Sequence, residues 1–145
     1  DVQRMSAGTG VTHSEFNHSR DGVTHFLQIW IQPNVTGIAP SYEEKHFDTA
    51  SKQGNLRLIA SQDGRDGSVL IHQNASVFAA LLDGAEAVSH TLAAGRLGYV
   101  HVARGTVSVN GESLQAGDAA KLTGVERIDI SQGQGAEVLL FDLPK

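Results

Sequence analysis

The sequence predicts an all-β protein of short strands, a sandwich or a barrel, on three observations. Apolar residues alternate with a period of two along nearly the whole chain, the spacing of strands with one buried face. Turn-forming residues punctuate those runs at short intervals. No stretch carries apolar residues at helical spacing with caps over three turns, so helix is limited to a turn or two. With 145 residues, 40% of them hydrophobic, 16 Gly and 3 Pro, the chain is long enough to bury a real core.

The first expected strands are Val11-Thr12-His13-Ser14-Glu15-Phe16 and Thr24-His25-Phe26-Leu27-Gln28-Ile29-Trp30-Ile31, both rich in β-branched and aromatic residues. From Gln32 to Gln53 the character changes. Pro33, Gly37 and Pro40 interrupt a stretch with neither a strand nor a helix period, and it reads as an extended connector anchored by Ile38, Tyr42 and Phe47. A structureless connector of that length is unusual inside one compact domain, so it is expected to join two units. The expected division is residues 1–32, a connector 33–53, and a second unit 54–145 long enough to fold alone.

Within the second unit, strands are expected at Leu56–Ala60, Ser68–His72, Ser76–Leu82, Val88–Leu92, Gly98–Ala103, Thr106–Val109, Ala119–Leu122, Arg127–Ile130 and Glu137–Leu143. Asn110-Gly111 is the strongest local signal, because a two-residue type I′ turn needs positive φ at both positions, and it predicts a hairpin with Glu112-Ser113-Leu114. Asp63-Gly64-Arg65-Asp66-Gly67, Asp83-Gly84, Ala116-Gly117-Asp118 and Gly133-Gln134-Gly135 mark further turns.

The 11 Lys+Arg against 16 Asp+Glu give a net charge of −5, and no Lys/Arg cluster breaks the acidic balance, which argues against a nucleic-acid partner. No run approaches the ~20 apolar residues of a bilayer helix, and no signal-peptide core is present, so a soluble, cytoplasmic protein without a membrane partner is expected. The absence of cysteine excludes disulfides, thiolate catalysis and zinc-thiolate sites. Any metal must be held by His, Asp or Glu.

His13 and Glu15 are two apart on an expected strand, so both would face one side, with roughly 6.6 Å between their Cα atoms from a rise of ~3.3 Å per residue. An imidazole and a carboxylate at that spacing can share one cation, and the pair suits Fe, Mn, Ni, Cu or Zn. The plainer reading is a hydrogen-bonded His–Glu pair on a solvated strand. Spacing does not decide between them.

The run from Asp1 through Thr12-His13-Ser14-Glu15-Phe16-Asn17 resembles the second metal motif of the N-terminal cupin domain of the pirin family, which includes bacterial quercetin 2,3-dioxygenase-like proteins. The resemblance continues through Leu27-Gln28-Ile29-Trp30-Ile31, Pro40-Ser41-Tyr42-Glu43, Asp63 to Ser68, Ile71-His72-Gln73 and Glu137 to Pro144, and so covers essentially the whole chain. It implies an all-β cupin jelly roll over residues 54–145, preceded by strands left over from a second, truncated cupin. It further implies a mononuclear divalent metal held by three His and one Glu, with His13 and Glu15 as two of the ligands and Glu15 also as a catalytic base. The His-x-His pair of the family has no counterpart, since none of His18, His25, His46, His72, His90 and His101 forms one. His18 and His25 are the nearest further candidates in sequence, with a solvated loop and a packed strand position as their plainer readings.

In the second unit, Ala94 to Gly105 lacks a His-x-His-x-Glu constellation, and Leu114 to Leu122 has Lys121 but no His, so a barrel without metal ligands is expected. His90 and His101 are then expected to be structural. The activity implied is ring opening of a flavonol with dioxygen, and two ligands alone imply that this chain does not perform it unaided. The alternative is a non-catalytic module for protein interaction or regulation. Strands 11–16 and 24–31, without their sheet, would present free edges, and a homodimer through those exposed strands is expected.

Overall fold

In the computed structural model, which describes residues 1–145, the strands are β1 (Val2–Ser6), β2 (Ser41–Lys45), β3 (Arg57–Ser61), β4 (Val69–Leu70), β5 (Ser76–Leu82), β6 (Val88–Thr91), β7 (Leu97–Val109), β8 (Glu112–Gln115), β9 (Ala119–Leu122) and β10 (Arg127–Leu143). A 3-10 turn at Arg65–Gly67 is the helical element, and no helix is long and apolar enough to cross a membrane. The architecture is all-β, as the period-two pattern requires.

The long β10 and β7 organise it. They pair antiparallel from Ile130↔Val109 to Leu143↔Leu97, and the hydrogen-bonded order is β4-β3-β5-β10-β7-β8, with β6 on the start of β10 and β9 on the start of β7. The ladder does not close on itself; each long strand changes partner along its length, β10 from β6 to β5 and β7 from β9 to β8, as in a jelly roll. The expected breaks within these strands are bulges. Gly133-Gln134-Gly135 interrupts the β7–β10 register without ending β10, because a bulge places residues such as Gln132 (φ 55) outside the ladder while the strand continues. Gly105 (φ 69) sits opposite, where a Cβ would strike the carbonyls of Gln134 and Gly135, so this crossing requires glycine. The Asn110-Gly111 hairpin forms as expected, with Val109 facing Glu112 and φ of 48 and 91 at the turn.

The interior of the sandwich is apolar. Val100, Val102, Ile128, Ile130, Val138 and Leu140 are fully buried there with Leu82, and Leu122 packs at the edge of the same cluster. A second cluster lies on the outer face of β3, β4 and β5, where Ile59, Val69, Val77 and Ala79 pack with Phe47 and Phe141, flanked by Val2 and Ile31. β5 is therefore buried on both faces, which explains its nearly continuous apolar run Val77-Phe78-Ala79-Ala80-Leu81-Leu82.

Two expectations for the N-terminal third are corrected. Val11–Phe16 and Thr24–Ile31 are not strands: residues 7–40 carry no regular structure, and no backbone–backbone hydrogen bond involves residues 11–31. A strand needs a neighbour to satisfy its backbone groups, and this chain brings none to them. Conversely, the expected connector contains β2, which pairs with β1 in register from Val2↔Lys45 to Ser6↔Ser41. Residues 7–40 are thus one long excursion from a hairpin, closed at its base by the Thr9 N–H donating to the Ile38 carbonyl at 3.2 Å.

Candidate functional site

His13 and Glu15 lie on this excursion, exposed and on irregular backbone, so the strand spacing that would aim them at one cation is not formed. Glu15 is near β2, where its charge acts on Tyr42. The Tyr42 hydroxyl donates to Glu44 Oε2 at 2.8 Å, and that bond, with the charges of Glu44 and Glu15, holds the phenol above its ordinary pKa. Nowhere does the structure gather three His, Asp or Glu side chains that could hold a metal ion.

The remaining histidines have other neighbours. His18 is exposed on the excursion. His25 Nδ1 accepts from Arg104 Nε at 3.3 Å, tying the excursion to β7, and His46 Nδ1 lies 2.6 Å from Asp1 Oδ1 at the surface. His72 and His101 are half-buried. His90 stacks obliquely on Phe78 and meets Asp142 Oδ2 at 2.7 Å.

Two polar centres stand out that the sequence reading did not single out. At the first, Glu43 of β2 accepts from the Leu70 N–H (2.9 Å), Lys45 Nζ (2.9 Å) and Arg4 Nη2 (3.3 Å), while Lys45 also donates to the Ser68 carbonyl at 2.7 Å. Chiefly the Leu70 amide, then Lys45, holds the Glu43 carboxyl down at about 2. It is the polar joint between the β1–β2 hairpin and the edge strand β4, whose free N–H it satisfies. At the second, buried Asp142 near the end of β10 is held by Arg96 Nε on one oxygen and by His90 on the other; Arg96 also donates to the Asp142 carbonyl (2.9 Å) and to Asn74. The signal was a single Asp in the apolar run Leu139-Leu140-Phe141-Asp142-Leu143, since a buried carboxylate needs a partner. The partner itself is 46 residues away and has no local signature.

In the sandwich the inward residues of β7 include Val100, Val102, Val107 and Val109, so the interior along this strand is filled by core side chains. The profile of the quercetinase C-terminal cupin domain matches residues 58–143, and that of pirin matches residues 1–31. The chain belongs to the pirin family. Within it, a quercetin 2,3-dioxygenase of Escherichia coli K12 is 41% identical over 145 residues, and a pirin-like protein of Caulobacter vibrioides is 38% identical over 143 residues. Each alignment takes in nearly all of this chain but 61% of the relative, so the chain spans about six-tenths of the length of these pirins. The crystal structure of YhhW from Escherichia coli superposes with a TM-score of 0.74 at 36% identity, over 79% of this chain and 48% of that one. The same bacterial pirin solved with nickel(II) gives 0.73 at 36% identity, with the same coverage. The sandwich is accordingly a cupin, and one bacterial pirin of this fold has been solved in complex with nickel(II).

Proposed function

We propose that this chain is the part of a pirin-type quercetin 2,3-dioxygenase that carries two metal ligands, His13 and Glu15, together with a cupin that holds none. What carries the reading is the His13-Ser14-Glu15 triplet inside the pirin-matched residues 1–31, followed by a cupin whose interior is packed with Val100, Val102, Ile130 and Leu140. The donors present do not fit a complete catalytic centre. A neutral imidazole and a carboxylate suit a divalent metal such as Fe, Mn, Ni, Cu or Zn, but such sites use three or four protein ligands, and no third is near. The chain alone is therefore incompetent for flavonol ring opening, and activity requires ligands beyond this pair.

The test is metal analysis and oxygen uptake on the 145-residue chain. Weak nickel(II) or iron(II) binding that His13→Ala abolishes, without flavonol-dependent oxygen consumption, is the expected result. Stoichiometric metal retained by His13→Ala would remove the ligand assignment, and oxygen consumption by the chain alone would remove the claim of incompetence.

A second reading, a non-catalytic interaction module, draws on the apolar surface of the excursion. Phe16, Val23, Phe26 and Trp30 are 79%, 99%, 62% and 88% exposed, a density of large apolar side chains that a solvated monomer rarely leaves uncovered. In this reading two copies associate through residues 11–31, gaining the backbone partners that each lacks alone. Light scattering across a concentration series distinguishes the two: a concentration-dependent dimer supports it, and a monomer throughout removes it.

A further inference from the structure

Remote in sequence from His13 and Glu15, a hollow of about 320 Å³ opens beside the start of β5 and the end of β10, and seven of its eight lining residues are polar. Its floor is a cross-strand pair, Ser76 of β5 opposite Asp142 of β10, both buried. Each member holds an arginine. Arg65 Nη2 donates to Ser76 Oγ at 3.0 Å, and Arg96 Nε donates to Asp142. Arg65 is also gripped by Asp63 Oδ1 at 3.0 Å, and the loop that carries it is unusual backbone: Gly64, Asp66 and Gly67 have φ of 66, 53 and 72. Asp66 is there without the freedom of glycine, and Arg57 Nη2 clamps its carbonyl at 2.6 Å, so the loop is set in one shape.

These bonds orient both guanidiniums yet leave donors over. Arg65 keeps its Nε–H and one hydrogen on each terminal nitrogen; Arg96 keeps one on Nη1; and Ser76, which accepts from Arg65, keeps its hydroxyl hydrogen. A group of donors lining one hollow calls for an oxyanion, and a guanidinium fork matches a planar carboxylate. The acceptors set its charge and shape. Asp142 spends both carboxylate oxygens on Arg96 and His90, whereas Asp63 receives all its bonds on Oδ1, so its Oδ2 is left as an acceptor for a hydroxyl, and the two carboxylates together disfavour a dianion.

We infer that this hollow is a binding site for a small monoanionic hydroxycarboxylate, its carboxylate between Arg65 and Arg96 and a hydroxyl on Asp63. The site owes nothing to a metal and stands apart from the proposed dioxygenase chemistry.

The test is an amide NMR titration of the 145-residue chain with glycerate, propionate and inorganic phosphate. Saturable glycerate shifts are expected at Gln62, Asp63, Arg65, Asn74 and Ser76. Propionate, lacking both hydroxyls of glycerate, should bind about tenfold more weakly, and phosphate should not saturate. Arg65→Gln should weaken glycerate at least about tenfold while the amides of Val107 and Ile130 keep their positions. Arg65→Lys, which keeps the charge but not the fork, should lie between. Absence of saturable glycerate shifts, an unchanged glycerate affinity in a folded Arg65→Gln protein, or phosphate binding as tightly as glycerate would each overturn the inference. The ligand comparison on the unaltered chain needs no variant to fold.

Discussion

Residues 24–31 and residues 76–82 are built alike in sequence and differ entirely in structure. Both are short runs rich in β-branched, aromatic and aliphatic residues. Residues 76–82 are β5, paired with β3 on one side and β10 on the other and buried on both faces; residues 24–31 pair with nothing and leave Phe26 and Trp30 in solvent. A pattern of side chains selects which face of a strand is buried. It does not supply the neighbour whose N–H and C=O groups make a strand out of an extended segment. The β1–β2 hairpin lies between these extremes, paired only with itself and joined to the sandwich through Glu43 and the packing of Phe47 and Val2.

The largest test of this contrast is in the sandwich. Leu140 is fully buried, and Leu140→Ala should cost about 3–4 kcal/mol in a denaturant titration, through lost transfer free energy and the cavity left behind. A loss under about 1 kcal/mol would mean that the interior is not close-packed.

At the junction the effect is smaller and depends on pH. The Glu43 carboxyl is held at about 2 against an ordinary 4.5, so its contribution is fully present above about pH 4.5 and is lost as pH falls towards 2. Glu43→Gln should cost about 1–2 kcal/mol at neutral pH, the side chain being partly exposed, and should flatten the stability profile between those limits. Equal acid sensitivity in the variant and the parent would place the acid-labile contact elsewhere.

The smallest effect is expected on the excursion. Trp30→Ser, at a side chain 88% exposed, should change the stability of the monomer by no more than about 0.5 kcal/mol. If two copies associate through this stretch, the same change should shift the sedimentation profile towards monomer. A large loss of monomer stability would show that Trp30 has a packed partner within the chain.

Much of the sandwich was legible because its signals are local. Ser76–Leu82 and Ala119–Leu122 form with their expected bounds, and Asn110-Gly111 makes its turn. The turn expected at Gly133–Gly135 and the gap between the strands expected at Gly98–Ala103 and Thr106–Val109 did not form, because the same glycines that end strands also let two long strands cross closely. Of the candidate site, the His13-Ser14-Glu15 triplet was legible as a motif, whereas the Glu43 joint and the cluster around Asp142 were not. Leu70 is 27 residues from Glu43, and Arg96 is 46 from Asp142, so no window of sequence holds both partners.

What the sequence determined by itself was therefore composition and period: an all-β, cysteine-free chain whose only metal donors are His, Asp and Glu, with turns where positive φ demands them. The tertiary structure decided which alternating runs become strands and which charged side chains meet. The reason is that backbone hydrogen bonds in a sheet, like the partners of a buried carboxylate, are satisfied between segments far apart in the chain. Residues 2–6 found such a partner in residues 41–45, and residues 24–31 did not.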